Sequence, residues 1–185
     1  MRVIAGKAKG QKLKSSSTQQ VRPTSDRVKE SLFNILGTAV RETKVLDLYA
    51  GFGGLGIEAL SRGAKEATFI EKSRQQVEII QENLSRTGFS EQAQVIKGEV
   101  LAKLHFLTTH SFDIILLDPP YEADLVEPTI AKIMDLDLLQ KAGVIVVEQS
   151  VQQEAQENLA ALELIRNREY GNTRLSLYLK REEGE

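Results

Sequence analysis

The chain has 185 residues, of which 41% are hydrophobic, a net charge of −2 and no cysteine. This length suits one ordinary domain with a full core, and the lack of cysteine excludes disulfides, thiolate zinc sites and a cysteine nucleophile. No apolar run approaches the roughly 18 residues of a membrane span, and no signal-peptide core follows the N-terminus. We therefore expect a cytoplasmic protein.

Positive charge is concentrated at the start of the chain. Residues 1–30 carry eight basic and two acidic side chains, a net +6, which leaves −8 on residues 31–185. Short strands at residues 2–6 and 9–13 predict a basic hairpin, and a polar linker follows them. We predict a basic N-terminal arm over residues 1–21, suited to a phosphate backbone, and a main domain over residues 22–185.

A helix is predicted at residues 24–36, because Thr24 or Ser25 can cap its start and Gly37 can end it. Its apolar stripe consists of Val28, Leu32, Ile35 and Leu36. Arg27 and Lys29 lie off this stripe, so we expect them to form an exposed basic edge near the substrate.

From residue 44 onward, strand and helix patterns alternate. Strands are predicted at residues 45–49, 67–71, 94–97, 112–117 and 144–148. Helices are predicted after them at residues 55–62, 73–87, 100–107, 124–138 and 151–160. Two last strands, at residues 162–168 and 173–179, flank a turn at Gly171 and Asn172. Successive strand–helix units predict an α/β fold with a mostly parallel sheet covered on both faces.

A glycine-rich loop follows the first of these strands. Gly51, Gly53 and Gly56 satisfy the pattern G-x-G-x-x-G, and Glu71 stands 20 residues after Gly51 at the end of the second strand. NAD and S-adenosylmethionine both need glycines for close backbone approach and an acid for ribose hydroxyls, so the pattern alone fits either. Asp47 favours S-adenosylmethionine, because a carboxylate there could meet its cationic amino-acid end but would repel a pyrophosphate.

The tetrapeptide Asp118-Pro119-Pro120-Tyr121 directly follows the apolar run at residues 112–117. The carboxylate of Asp118 and the carbonyl of Pro119 could each accept an N–H bond from an exocyclic base amine and aim its lone pair at a methyl donor. Tyr121 offers a flat face on which a flipped base can stack. This arrangement predicts methyl transfer to an amino group, with no metal and no covalent intermediate.

Together these residues resemble the class I S-adenosylmethionine-dependent methyltransferases. More narrowly, the chain resembles the RsmD family, which methylates the exocyclic N2 of one guanine in small-subunit (16S) ribosomal RNA. The specific signal is the segment Arg22-Pro-Thr-Ser-Asp-Arg-Val-Lys-Glu-Ser-Leu-Phe-Asn-Ile-Leu. The resemblance implies a Rossmann-like, seven-stranded sheet with its last strand antiparallel, plus a small N-terminal extension that docks on RNA within a small ribosomal subunit or an assembly intermediate.

The resemblance also implies roles for individual residues. The residues expected to contact the cofactor are Asp47, Tyr49, Ala50, Gly51, Gly53, Glu71, Lys72, Glu99 and Val100, with Glu99 near the adenine. The catalytic set is expected to be Asp118, Pro119, Pro120 and Tyr121. The RNA-binding set is expected to be Arg2, Lys7, Lys9, Lys12, Arg22 and Arg27.

Three alternatives remain open from the sequence. A DNA adenine or cytosine methyltransferase shares the Asp-Pro-Pro-Tyr pattern, although 185 residues leave little room for a separate sequence-reading domain. An NAD-dependent oxidoreductase shares the glycine pattern. A non-catalytic RNA-binding assembly factor could retain the same fold.

Overall fold

The computed structural model describes residues 1–15, 26–107, 111–120, 124–155, 158–159 and 161–181. The strands are β1 (Lys44–Leu48), β2 (Glu66–Glu71), β3 (Ala93–Lys97), β4 (Phe112–Leu117), β5 (Leu139–Ser150), β6 (Asn158–Leu159), β7 (Leu162–Tyr170) and β8 (Thr173–Lys180). The helices are α1 (Asp26–Leu36), α2 (Gly54–Ser61), α3 (Arg74–Thr87), α4 (Val100–Lys103) and α5 (Val126–Asp135). Within these ranges no helix is both long and apolar enough to cross a membrane.

All the strands join one sheet in the order β3-β2-β1-β4-β5-β8-β7-β6. The first five strands are parallel to one another, whereas β8 runs antiparallel to both β5 and β7. The predicted α/β fold, with a mostly parallel seven-stranded sheet and an antiparallel last strand, is therefore confirmed. The two-residue strand β6 adds a short edge that the sequence analysis did not predict.

Apolar side chains cover both faces of the sheet. Along β1, Val45 packs into the cluster formed with α1, α2 and α3, whereas Leu46 and Leu48 pack into the cluster formed with α4 and α5. Parallel strands with two buried faces need near-continuous apolar sequence, which explains the aliphatic run of β4. Asp47 is the exception in β1: its carboxylate is buried on the α2 face of the sheet.

The first 15 residues form a hairpin that is packed into the main core. The two predicted strands reduce to a single antiparallel bridge between Arg2 and Lys12. Val3, Ala8 and Leu13 are buried in the α1–α2–α3 cluster. The basic side chains between them remain exposed, so the hairpin has an apolar inner face and a basic outer face. The predicted domain boundary at residue 21 lies outside the described residues.

Lys29 contradicts the prediction that it lies on an exposed basic edge. Its side chain is fully buried in α1, 3.3 Å from the carboxylate of Glu58, and its ammonium donates a hydrogen bond to the carbonyl of Arg2 at 2.6 Å. Burial lowers the pKa of Lys29, and Glu58 opposes that shift. The apolar pattern of α1 did not predict this burial, because an acid on another helix supplies the partner that a buried ammonium needs.

Several predicted helices differ from the structure. The helix predicted at residues 151–160 is wrong: residues 151–153 form a turn, residues 154–155 are irregular, and Asn158–Leu159 pairs with β7 as β6. α5 is shorter than predicted, and Pro128 occupies its first turn, where the missing N–H costs no helical hydrogen bond. By contrast α3 matches its prediction, with Ser73 capping its start and Gly88 left-handed at its end.

Candidate cofactor and substrate site

Four loops that follow parallel strands meet at one edge of the sheet. β1 lies in the middle, and Leu48 at its end pairs with Ile70 of β2 and with Leu117 of β4. The chain therefore leaves these three strands at neighbouring positions, which are Tyr49, Glu71 and Asp118. This is the point where the strand order reverses direction, and ligands of open α/β sheets bind there.

The loop after β1, residues 49–53, has an unusual backbone. Tyr49, Gly51 and Gly53 have positive φ values of 60°, 54° and 83°. The loop is held to the end of β2 by the N–H of Ala50, which donates to the carbonyl of Ile70 at 3.1 Å. This backbone brings the N-terminus of α2 against the loop, where the free N–H groups of a helix favour negative charge.

Gly56 allows α2 to lie against the sheet. A Cβ at this position would lie 2.3 Å from the ring of Phe69 and 3.0 Å from Oδ2 of Asp47. The last glycine of the pattern therefore serves helix–sheet packing, which is one of the three purposes of glycine in such loops.

Glu71 braces the loop from the end of β2. One of its carboxylate oxygens accepts the N–H of Gly51 at 2.9 Å, and the other accepts the N–H of Ser73 at 2.7 Å. The side chain is 8% exposed, so the carboxylate is almost closed off by the loop that it supports. Each carboxylate oxygen has a second lone pair, which leaves acceptor capacity for a ligand hydroxyl.

Asp47 is more deeply buried than Glu71, with 1% of its surface exposed. Its Oδ2 accepts the N–H of Gly56 at 2.8 Å. Burial raises the pKa of Asp47 to about 8, the bond from Gly56 opposes this, and the charge of Glu71 adds to it. The carboxylate thus contacts α2 within the chain, and its predicted contact with the amino-acid end of the cofactor stays a prediction.

Replacing Asp47 with asparagine should flatten the dependence of stability on pH. The folded protein keeps a proton on Asp47 up to a pKa of about 8, whereas the unfolded chain releases it near 3.8. The free energy of unfolding should therefore fall as pH rises between these values, and only the wild type should lose this contribution. We expect Asp47→Asn to gain stability relative to wild type from pH 4.5 to 8.5, measured by urea unfolding. Parallel curves for the two proteins would contradict the assignment.

The side chain of Tyr49 reaches across to α5. Its hydroxyl forms a hydrogen bond of 2.7 Å with the hydroxyl of Thr129, which is fully buried. Burial raises the pKa of Tyr49, the bond to Thr129 opposes the shift, and Glu99 adds to it. The residue predicted to contact the cofactor therefore also joins the glycine loop to the helix that follows the Asp-Pro-Pro-Tyr segment.

The loop after β3 brings two more predicted residues, Glu99 and Val100, to this edge, beside Lys72 of the loop after β2. Gly98 is joined to the end of β2 by its N–H, which donates to the carbonyl of Glu71 at 3.0 Å. Glu99 follows it and lies 3.8 Å from the ammonium of Lys72, and both side chains are exposed. Val100 is buried and begins α4. In the described residues, no group of three or more His, Asp or Glu could hold a metal ion.

Asp118 lies next to the glycine loop. Its backbone nitrogen is 3.5 Å from the carbonyl of Leu48, and its side chain is half-buried. Pro119 is buried and Pro120 is exposed, so the turn leaves the sheet toward solvent. Tyr121 lies outside the described residues, and its predicted stacking role stays a prediction.

The described residues of the predicted RNA-binding set are distributed along the hairpin and the start of α1. Lys7 lies at the far end of α2 from the glycine loop, because its N–H donates to the carbonyl of Ser61 at 2.8 Å. Arg2 lies at the start of α1, 3.6 Å from Asp26. Lys9, Lys12 and Arg27 are exposed, and Arg22 lies outside the described residues.

Two buried polar residues with several partners were missed by the sequence analysis. Glu58 of α2 accepts the N–H groups of Ile4 and Ala5 at 2.8 and 3.0 Å and pairs with Lys29 and Arg62. Asn83 of α3 bonds to both the hairpin and the glycine loop. Each is a polar residue that stands among apolar residues of its helix, and that pattern was the available signal.

The residues at this edge fit S-adenosylmethionine. Glu71 keeps acceptor capacity for ribose hydroxyls, and the glycine loop presents backbone beside a helix N-terminus. A cationic ligand beside Asp47 would favour its ionised form and so oppose the burial that raises its pKa. A pyrophosphate would instead place negative charge beside Glu71 at the loop, and it would raise the pKa of Asp47 further. The donor set therefore favours S-adenosylmethionine over a dinucleotide.

The chain matches the family described as Conserved hypothetical protein 95 over residues 1–179. It belongs to this family. It is 39% identical to the Ribosomal RNA small subunit methyltransferase D of Haemophilus influenzae, over 80% of this chain and 78% of that protein. It is 35% identical to the protein of the same name from Escherichia coli K12, over 100% of this chain and 92% of that protein. The predicted membership of the RsmD family is confirmed.

Solved structures agree with this family assignment. The structure of the yhhF protein from Escherichia coli superposes with a TM-score of 0.85 at 33% identity and covers 97% of each chain. An RNA methyltransferase from Salinibacter ruber in complex with S-adenosyl-L-homocysteine superposes with a TM-score of 0.64, covering 89% of this chain and 97% of that one. At 15% identity the second likeness shows the fold alone.

Proposed function

We propose that this member of the RsmD family transfers a methyl group from S-adenosylmethionine to the exocyclic N2 of a guanine in 16S ribosomal RNA. The observation that carries the proposal is the position of Asp118. It follows β4 directly, half-buried, with its backbone nitrogen 3.5 Å from the carbonyl of Leu48 at the start of the glycine loop. A base amine that is bound by Asp118 therefore lies beside the glycine loop.

The reacting nitrogen needs help, because its lone pair is delocalised into the purine ring. The carboxylate of Asp118 and the carbonyl of Pro119 each accept one N–H of the amine, which favours a pyramidal nitrogen with its lone pair directed at the methyl group. The cofactor supplies an electrophilic methyl group on a sulfonium. Tyr121 is proposed to support the flipped base from its face.

The transfer is balanced without a covalent enzyme intermediate. One nitrogen–carbon bond forms as one sulfur–carbon bond breaks, so the cofactor leaves as the neutral thioether. The amine then loses one proton, either to the carboxylate of Asp118 or to water. The buried carboxylates of Asp47 and Glu71 stay on the cofactor side of the site, where they are expected to contact its amino-acid end and its ribose.

The exposed face of the hairpin is proposed to bind the phosphate backbone. Its inner residues Val3, Ala8 and Leu13 are buried, which fixes the hairpin on α2 and turns its lysines outward. The substrate is proposed to be presented within a small ribosomal subunit or an assembly intermediate in the cytoplasm. A DNA substrate or a non-catalytic role is not favoured, because the relatives at 35–39% identity bear the name of ribosomal RNA methyltransferases.

Replacing the hairpin lysines should weaken RNA binding without unfolding the protein. The change is Lys7, Lys9, Lys12 and Lys14 to alanine, all of which are exposed. If each contacts one phosphate, the slope of log K against log salt should become shallower by about 3 for single-stranded RNA. Binding is measured by fluorescence anisotropy at several salt concentrations. The control changes Lys132 on α5 and Lys141 on β5, and an equal loss in both variants would contradict the hairpin assignment.

The proposal is tested by methyl incorporation from labelled S-adenosylmethionine into unmodified small-subunit particles and into naked 16S RNA, followed by nucleoside analysis. We expect N2-methylguanosine at a single site. The form of RNA that is methylated faster identifies the surface on which the hairpin docks. Cofactor binding without incorporation into either RNA would retain the cofactor site and reject the substrate, with DNA tested next.

A further inference from the structure

Asn83 of α3 joins two segments that are distant in sequence. It is fully buried, and its amide makes three hydrogen bonds. Nδ2 donates to the carbonyl of Phe52 at 3.0 Å and to the carbonyl of Lys14 at 2.9 Å. Oδ1 accepts the N–H of Lys14 at 2.8 Å. Both N–H donors of the amide are therefore used, one toward each segment.

Each partner of Asn83 has a defined place in the fold. The carbonyl of Phe52 lies between Gly51 and Gly53, two glycines with positive φ that shape the glycine loop, which is the proposed cofactor loop. The backbone of Lys14 is the end of the N-terminal hairpin. The start of the hairpin reaches the same place, because a Cβ on Gly54 would lie 3.0 Å from Sδ of Met1. Both ends of the hairpin therefore lie where the glycine loop joins α2.

Only an uncharged amide satisfies this position. Two carbonyls require two donors, and the N–H of Lys14 requires an acceptor, which is the full set that asparagine offers. Aspartate would place an oxygen against both carbonyls, and leucine would remove the partner of the Phe52 carbonyl and of the Lys14 N–H and carbonyl. The side chain of Lys14 takes no part, since both of its bonds to Asn83 use its backbone.

We propose that Asn83 is a positioning residue for the cofactor loop, and that the N-terminal hairpin supports the cofactor site through it. The inference rests on the proposed use of S-adenosylmethionine. The hairpin fixes the amide of Asn83, the amide fixes the carbonyl of Phe52, and that carbonyl sets the backbone between Gly51 and Gly53. The hairpin thus affects cofactor affinity even when no RNA is bound.

The test measures the Kd of S-adenosylmethionine by titration calorimetry on the full chain without RNA, together with the Tm of each variant. We expect Asn83→Asp and Asn83→Ala to raise the Kd by about tenfold or more. The control is Thr87→Val in the same helix, because its hydroxyl bonds only to carbonyls of α3, at 2.7 and 3.2 Å. The Thr87→Val variant should have a lower Tm than wild type, and its Kd for S-adenosylmethionine should stay within about twofold of the wild-type value.

A second pair of variants tests the role of the hairpin. Lys14→Pro removes the N–H that Asn83 accepts, whereas Lys14→Ala keeps it and removes only the charged side chain. Without RNA, we expect the proline variant to raise the Kd of S-adenosylmethionine and the alanine variant to keep the wild-type value of that Kd. Equal Kd values in Asn83→Asp, Thr87→Val and wild type would overturn the proposal, and equal values in both Lys14 variants would overturn its hairpin part. A wild-type chain that does not bind S-adenosylmethionine would instead overturn the proposed function.

Discussion

Replacing Asp118 with alanine should reduce kcat by about 10²–10³-fold while the Kd of the cofactor stays within about twofold. Asp118 follows β4 at the edge where the amine is proposed to lie, and its carboxylate is expected to hold that amine only on the substrate side. Methylation assays measure the change in kcat, and titration calorimetry measures the Kd of the cofactor.

Asp118→Asn separates the two possible uses of the carboxylate. Asparagine keeps one oxygen that can accept an N–H of the amine, but it cannot take up a proton. Activity well above that of Asp118→Ala would mean that Asp118 mainly orients the amine, whereas equal loss would mean that it also receives the proton.

A control lies on the same strand. Asp113, near the start of β4, accepts the N–H of Lys44 at 2.8 Å and is remote from the reaction edge. Asp113→Asn keeps an acceptor for that bond and should leave kcat within about twofold. Wild-type kcat in Asp118→Ala would remove Asp118 from the catalytic set.

Replacing Glu58 with alanine should have the largest effect on stability, about 3–5 kcal/mol. The fully buried carboxylate accepts the N–H groups of Ile4 and Ala5, and it pairs with the ammonium of Lys29 and the guanidinium of Arg62. Its removal leaves a buried lysine without its acid and two backbone donors without an acceptor. Urea unfolding measures the loss.

Two further variants define what Glu58 contributes. In Lys29→Met the uncompensated ammonium is absent, so adding Glu58→Gln to it should cost less than Glu58→Gln alone. Glu82→Ala is the surface control, because its contact with Lys14 is exposed and should contribute under about 1 kcal/mol. A loss below about 1 kcal/mol in Glu58→Ala would show that the hairpin does not depend on this carboxylate.

The sequence was sufficient where local pattern and local chemistry agree. The strand before the glycine loop, the capped helix α3 and the hairpin around Gly171 each carry their own start and stop signals, and all three form as predicted. The edge of the sheet that carries Asp118, Glu71 and the glycine loop followed from the order of strands and helices. The contacts of these residues with cofactor and RNA remain predictions.

The sequence failed where the deciding partner is distant in the chain. Lys29 is buried because Glu58 on α2 pairs with it, and the sequence of α1 alone does not show that this partner exists. Residues 151–155 have helical composition, but Gln149 on β5 donates to the carbonyls of Gln153 and Glu154, and Asn158–Leu159 pairs with β7 instead. Asn83 was overlooked for the same reason, since its partners lie 31 and 69 residues earlier.

The placement of the hairpin also sets an order of events during synthesis. Ile4 and Lys14 are made before their partners Glu58 and Asn83, which follow 54 and 69 residues later. At the usual 5–20 residues per second, Lys14 waits about 3–14 seconds for its partner. During this interval Val3 and Leu13 have no core to enter, so the hairpin is made before α2 and α3 but reaches its final place only after them. The cofactor loop is then complete only after α3 has emerged, and a nascent chain halted before residue 83 should not bind cofactor.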